Sequence, residues 1–341
     1  MVGPKVATHP PTAHALLALL ADPEITDVLV NGPSGVWADG PQGLRKVAIS
    51  LGGAPAIRAL ACQLASLGGQ RLDDASPAAD VRLPGGVRMH AILAPIARGG
   101  PFISLRSLRR DAFSLDELVE CGTIPPPWAG LVESLVRARV NFLISGATGA
   151  GKTTLLSALL GLASPDERIV CIEEAAEIST PHPHVLSLEA RHANAEGRGE
   201  ITLTDLVRHA LRMRPDRIVL GECRGAEVRE VLTALNTGHE GSAATIHANA
   251  AADVPARLAA LGALAGMDAR AVATQTVSAL SAVLHVERAR DRPGARRLTH
   301  IAAIVPRGDD VAVEPALTWT ASEERRGPGW ARLAALCAWE A

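Results

Sequence analysis

The chain has no tyrosine, three phenylalanines and three lysines (Lys5, Lys46 and Lys152) among its 341 residues. Single-stranded nucleic acid is bound on aromatic platforms along a basic groove. With net charge −2 and few rings to stack on, the composition disfavours a nucleic-acid partner. The five cysteines, Cys62, Cys121, Cys171, Cys223 and Cys337, are scattered and never spaced C-x-x-C. That argues against a disulfide framework or a zinc module and for a reducing compartment. No apolar run reaches the ~18 residues needed to cross a bilayer. Residues 1–11 lack the charged and apolar regions of a signal peptide. The expectation is a cytoplasmic protein whose membrane association is peripheral only.

Against these absences stands one dense motif. Residues 146–154 read Gly-Ala-Thr-Gly-Ala-Gly-Lys-Thr-Thr, the G-x-x-x-x-G-K-[ST] phosphate loop. Residues 141–145 read as a short buried strand and 153–160 as the start of an apolar helix, the context that the motif requires. Gly146, Thr148, Gly149, Ala150 and Gly151 bring backbone N–H groups to phosphate oxygens, and the helix N-terminus adds positive potential. Lys152 reaches the β- and γ-phosphates, the Thr153 hydroxyl sits on Mg²⁺, and Thr154 completes the cradle. The cofactors expected are therefore a nucleoside triphosphate and Mg²⁺.

Hydrophobic residues make up 48% of the chain, enough for two cores at this length. Residues 12–22 and 54–67 read as helices among short strands at 25–30, 35–38, 44–49, 80–83, 87–93 and 102–105. Turn signals stand at Gly40-Pro41 and Pro84-Gly-Gly86. This is a small α+β domain over 1–122. The run Thr123-Ile-Pro-Pro-Pro-Trp128 reads as a linker, because consecutive prolines forbid helix. Helices and strands then alternate over 129–310: helix 128–140, strands 168–172, 185–188, 217–220 and 242–246, and helices 204–213, 226–235, 253–264 and 271–282. That alternation predicts an α/β domain with a doubly wound, mainly parallel sheet. Residues 284–313, with a turn at Arg292-Pro-Gly294, read as added antiparallel strands. The tail, 311–341, has no clear pattern.

Open parallel sheets place ligands at the carboxyl ends of their strands, and a phosphate-loop enzyme needs carboxylates there. Strand 168–172 ends in Glu173-Glu174, and strand 217–220 ends in Gly221-Glu222, followed by Arg224. A lone strand-end carboxylate is ordinarily a solvated turn residue. Two on consecutive apolar strands after a phosphate loop make Glu173 and Glu222 catalytic candidates. His247 ends the strand 242–246, in position to hydrogen-bond a γ-phosphate. No H-x-x-x-H spacing exists to suggest a histidine metal site.

These boxes, in this order, carry a resemblance. Gly146–Thr154, Ile172-Glu-Glu-Ala-Ala-Glu177, the run Leu211–Arg224 and Asn236-Thr-Gly-His-Glu-Gly241 through His247-Ala-Asn249 resemble the ATPases of type II and type IV secretion, pili and conjugation. Within that superfamily the chain looks most like the TadA/CpaF-type ATPases of tight-adherence pili, through Thr26-Asp-Val-Leu-Val-Asn-Gly32, Asp80-Val-Arg-Leu-Pro84, Ser104-Leu-Arg106, Ser187-Leu-Glu-Ala-Arg191 and Glu196-Gly-Arg-Gly-Glu-Ile201. The resemblance implies a RecA-like ATPase domain behind a small N-terminal domain, ATP as the nucleotide, and a homohexamer acting on inner-membrane platform proteins at the inner face of the membrane. It implies that Glu222 handles the attacking water, that Glu173 stands near metal and water, and that His239 and His247 lie together beside the γ-phosphate. It also implies a phosphate contact from an N-terminal arginine, Arg106 or Arg88, with Arg191, Arg198, Arg208 and Arg212 further candidates. The acidic box of the family usually reads Glu-Asp; here position 174 is Glu. The cysteine-rich zinc insertion of type II relatives is absent.

Overall fold

A computed structural model describes residues 11–22, 24–40, 43–83, 86–107, 112–191, 193, 198–289, 294–320 and 323–339. Parts of the turns expected at Gly40-Pro41, Pro84-Gly-Gly86 and Arg292-Pro-Gly294, and of the Glu196–Ile201 box, fall outside them. The chain divides into two compact units, residues 1–110 with 194–198, and residues 111–193 with 199–341.

The first unit carries helix α1 (Pro11–Leu19), strands β1 (Asp27–Asn31), β2 (Val36–Asp39) and β3 (Arg45–Val47), helix α2 (Ala54–Leu67), and strands β4 (Ala78–Arg82), β5 (Arg88–Ile92) and β6 (Phe102–Arg106). Its sheet runs β3-β2-β1-β6-β5-β4, antiparallel throughout. Period-two alternation sets its faces: Val28, Val30, Met89, Ala91, Ile103 and Leu105 point inward onto Leu16, Ile57, Leu60 and Leu64 of the helices. On the other face Arg106, Arg88 and Arg82 stand directly opposite one another across β6, β5 and β4.

The second unit holds α3 (Leu115–Glu120), α4 (Ala129–Arg137), β7 (Phe142–Gly146), α5 (Lys152–Leu160), β8 (Ile169–Glu173), β9 (Val185–Glu189), α6 (Leu203–Ala210), β10 (Arg217–Cys223), α7 (Val228–Leu235), β11 (Ala243–His247), α8 (Val254–Leu264), α9 (Ala269–Ala279), β12 (Ala282–Arg288), β13 (Arg296–Arg307), β14 (Asp310–Thr320), β15 (Glu323–Arg326) and α10 (Trp330–Leu336). The sheet order is β15-β14-β13-β12-β7-β11-β10-β8-β9. Every position of β7 and β8 is buried, the mark of parallel strands covered on both faces. Their alternation divides two cores. Phe142, Ile144, Ile169 and Cys171 join α4 and α5 on one side, and Leu143, Val170 and Ile172 join α6, α7, α8 and α9 on the other.

Two expectations change. Strand β12 is not antiparallel to the nucleotide-domain strands: it runs parallel to β7, with Val283 opposite Leu143 and His285 opposite Ser145. The preceding helix α9 ends at Ala279, earlier than expected, and acts as a crossover. The antiparallel extension begins at β13. The proline-rich stretch does not serve as a free linker either. Pro126–Trp128 is a turn of 3-10 helix, Trp128 is 0% exposed, and its Nε1 donates to Glu324 Oε2 at 2.9 Å. Burial of this ring, edge-on to Trp319 at 5.9 Å between centroids, ties residues 112–128 and the last strands into the second unit.

Candidate active site

Strand β7 ends at Gly146 and α5 begins at Lys152, so the phosphate loop lies at the carboxyl end of the sheet. Gly149 and Gly151 take φ of +71° and +96°, which side chains other than glycine's resist. Gly151 also caps α5 without a side chain, leaving the helix's first N–H groups for an anion. Ala147, Thr148, Gly149 and Thr154 are exposed, Thr153 is half-buried and Ala150 is buried.

Lys152 is 7% exposed. Its Nζ donates to Gly146 O and Ala147 O, each at 3.1 Å, and faces His247 Nδ1 at 3.0 Å. An ammonium only donates, so Nδ1 accepts and the ring proton belongs on Nε2. That nitrogen meets Glu222 Oε1. Burial, followed by the Lys152 charge, holds the imidazole below the usual histidine range, consistent with a neutral ring. Burial likewise lowers the Lys152 pKa, opposed by Glu222. Lys152, His247 and Glu222 thus form one chain across the ends of β7, β11 and β10.

Glu173 stands one strand beyond, at the end of β8, 3% exposed. Its Oε1 accepts from the backbone N–H of Glu177 at 2.8 Å and Ile178 at 2.9 Å. It leans across Gly221, where a Cβ would lie 2.8 Å from Glu173 Cγ; the glycine before Glu222 makes room for this carboxylate. His239 is not brought to the site. It lies on the loop entering β11, at the opposite end of that strand from His247, with Nδ1 3.0 Å from Ala234 O. Five strand residues separate the two edges, so the pairing of His239 with His247 beside phosphate is corrected within this chain. In the first unit, Arg106 donates from Nε to Asp27 Oδ1 at 2.8 Å, and Arg88 is bidentate on Asp80 at 3.0 and 2.8 Å.

Sequence reasoning did not single out Arg288 and Arg296. Arg296 Nε donates to Gly149 O at 3.1 Å, and Arg288 Nη2 lies 2.9 Å from where a Cβ on Gly149 would be. No motif marks them; only the parallel pairing of β12 with β7 carries that hairpin to the loop. Behind the loop, Ser145 Oγ and His285 Nδ1 are 2.8 Å apart and both residues are fully buried.

A glycine loop with an inward lysine, at the carboxyl edge of a parallel sheet whose neighbouring strands end in carboxylates, defines a phosphate-loop nucleotide-binding protein. The chain belongs to the Type II/IV secretion system protein family, whose model matches residues 12–298, and so to the superfamily of type II/IV secretion ATPases. It is 51% identical over 315 residues to a putative conjugal transfer protein of Mycobacterium tuberculosis, covering 91% of this chain and 88% of the relative. It is 31% identical over 314 residues to the type IV secretion system protein PtlH of Bordetella pertussis, covering 83% and 91%. The fold is also that of the Legionella pneumophila ATPase DotB, with a TM-score of 0.58 at 20% identity over 94% of this chain and 84% of that one. Among the described residues no helix is long and apolar enough to cross a membrane.

Proposed function

We propose that this protein is an ATP-hydrolysing motor, working as a homohexamer on inner-membrane platform proteins of a pilus or secretion apparatus, from the cytoplasmic face. The observation that carries the hydrolytic reading is the Lys152–His247–Glu222 chain beside the phosphate loop. The backbone from Gly146 to Gly151, with Thr148, Ala150 and Thr154, cradles the phosphates. Lys152 exchanges its carbonyl and imidazole partners for β- and γ-phosphate oxygens. Glu222 holds the attacking water and takes its proton as the γ-phosphorus–oxygen bond to the β-phosphate breaks. His247, released from Lys152, remains against Glu222 through Nε2.

The oxygen donors, a hydroxyl and a carboxylate without sulfur, fit Mg²⁺, which usually takes only one or two protein oxygens and fills the rest with phosphate and water. Thr153 would hold it directly, and Glu173 would hold it or the waters around it. Bound there, the cation neutralises phosphate charge. The family resemblance makes Arg106 the proposed arginine contact to phosphate. Its row with Arg88 and Arg82 opposes like charges across three strands, an arrangement that destabilises unless anions offset it. Asp27 pairs with Arg106 and Asp80 with Arg88.

The relative bearing a conjugal-transfer name favours a second reading, in which the same motor serves a conjugation apparatus. Steady-state ATP hydrolysis, with and without single-stranded DNA, separates the two. The motor reading expects Mg²⁺-dependent turnover, unmoved by DNA, with specific activity rising as protein concentration drives rings together. Glu222→Gln should keep ATP binding and lose roughly 10²-fold in turnover. Turnover stimulated by DNA would favour conjugation, and a wild-type chain that binds ATP without hydrolysing it would end both readings.

A further inference from the structure

Beyond the three-residue chain, Glu222 has a second partner that the phosphate-loop reading leaves unused. Arg224, two residues on, folds back onto Glu222 Oε2 through Nε at 2.7 Å and Nη2 at 2.5 Å. Its remaining terminal nitrogen, Nη1, donates to Glu174 Oε2 at 2.6 Å. One guanidinium therefore joins the carboxylates at the ends of β10 and β8, neighbouring strands in the sheet. His247 Nε2 lies against the other Glu222 oxygen, Oε1.

We propose that Arg224 and Glu174 are positioning residues for Glu222: Glu174 anchors the Arg224 guanidinium, which fixes Glu222 Oε2 while His247 takes Oε1, so that the carboxylate plane is set before a water arrives. This rests on Glu222 acting on that water. Three features of the geometry carry it. A carboxylate held at only one oxygen still turns about its last bond, whereas one gripped at both has a single orientation. A guanidinium is a planar fork whose donors match that demand, which a lysine ammonium would not. And the side chain of Arg224 is 53% exposed and that of Glu174 38%, in the range where an ion pair adds little to stability. The pair therefore stands in the site for orientation and not for holding the fold. It also gives position 174 a role in this chain: Glu174 reaches Arg224 from the end of β8, and an aspartate there is one methylene short of that contact.

Activity measurements on single and double variants test this. Arg224→Gln and Glu174→Gln should each lower kcat about 10-fold, the lower end of what removing an outer-shell partner costs, with KM for ATP unchanged. Glu174→Asp should behave like Glu174→Gln. The double variant Glu174→Gln/Arg224→Gln should be no slower than Arg224→Gln alone, because both act through one carboxylate. In a Glu222→Gln background neither change should lower the residual turnover further, and thermal melting should stay at the wild-type temperature throughout. Independent, multiplying losses in the double variant would overturn the proposal. So would a raised KM with kcat intact, which would make Arg224 a phosphate ligand, or wild-type kcat in Glu174→Asp. A wild-type protein without ATP turnover would instead overturn the motor reading; turnover lost in Glu222→Gln but untouched in the Arg224 and Glu174 variants would overturn only the positioning role.

Discussion

At the amino ends of the parallel strands, Arg217 is 1% exposed. Its guanidinium is engaged by Glu167 at 2.9 and 2.8 Å, Gly241 O at 3.0 Å and Val136 O at 3.0 Å. At the carboxyl ends, Lys152, His247, Glu222, Arg224 and Glu174 are also chained, but exposure rises along the chain from the buried lysine to the half-exposed arginine. Both ends pair cations with carboxylates, and under the proposed function only one exchanges its partners for water or phosphate. A buried pair surrounded by backbone carbonyls has nowhere to turn, and breaking it leaves a stranded charge. A pair as exposed as Arg224 and Glu174 can be reopened at small cost. The same residue types thus hold the fold at one edge and stand ready for a ligand at the other.

Lys152→Ala is the largest test of this contrast. Removing the only cation built into the loop should abolish hydrolysis while leaving the circular dichroism spectrum unchanged. Wild-type turnover in that variant would mean that the open edge is not the site. At the closed edge Arg217→Ala should act on stability, by about 3–5 kcal/mol, read as a shift in the urea midpoint. Arg139 Nη1 still reaches Glu167 Oε1 at 3.0 Å, which favours the lower end of that range. Folded Arg217→Ala protein should hydrolyse ATP; a folded but inactive variant would break the division between the edges.

How much of this was legible in the sequence follows the same division. Gly146–Thr154, Glu173, Glu222 and His247 could be placed because each ends an apolar strand, and a parallel sheet delivers such positions to one edge. The pairing of His239 with His247 came from the family resemblance alone, and the fold does not make it within this chain: strand β11 lies between them, and a strand carries its two ends to opposite edges. Strand β12 was misread because its direction depends on the crossover through α9, which no local pattern encodes. Arg224 was visible beside Glu222, but its double grip on two strand ends needed coordinates. The Thr123–Trp128 run looked like a linker from its prolines, and the buried ring of Trp128 decided otherwise.

A smaller effect should appear on acidification. His285 is fully buried, and burial pushes its pKa below the ordinary 6.5, with Glu287 opposing. The unfolded chain then takes up a proton near pH 6.5 that the folded chain refuses until lower pH. Stability should be complete above pH 6.5 and fall as pH drops from there toward the lowered folded value. His247 and His300 shift in the same direction, each mainly through burial. His285→Gln, which cannot titrate, should lose less between pH 6.5 and 5.5 than wild type does in urea unfolding. Equal losses would show that the buried imidazole behind the phosphate loop is not an acid-sensitive group.

The smallest effect expected is that of His239→Ala, and it sets the two edges against each other with one residue type. The His239 ring bonds to Ala234 O, while the Ser242 hydroxyl donates to the backbone oxygen of His239 at 2.6 Å. Alanine keeps that backbone oxygen and removes only the ring contact, worth about 0.5–1.5 kcal/mol. Strand β11 should therefore start where it does now, and turnover should change little. His247→Ala takes away both the acceptor facing Lys152 and the ring against Glu222 Oε1, so its loss should fall on kcat, about 10²-fold, with little change in melting temperature. If His239→Ala costs as much turnover as His247→Ala, the loop entering β11 must reach a phosphate that this chain's own sheet holds at its far edge, and the contrast between the two edges would fail at that point.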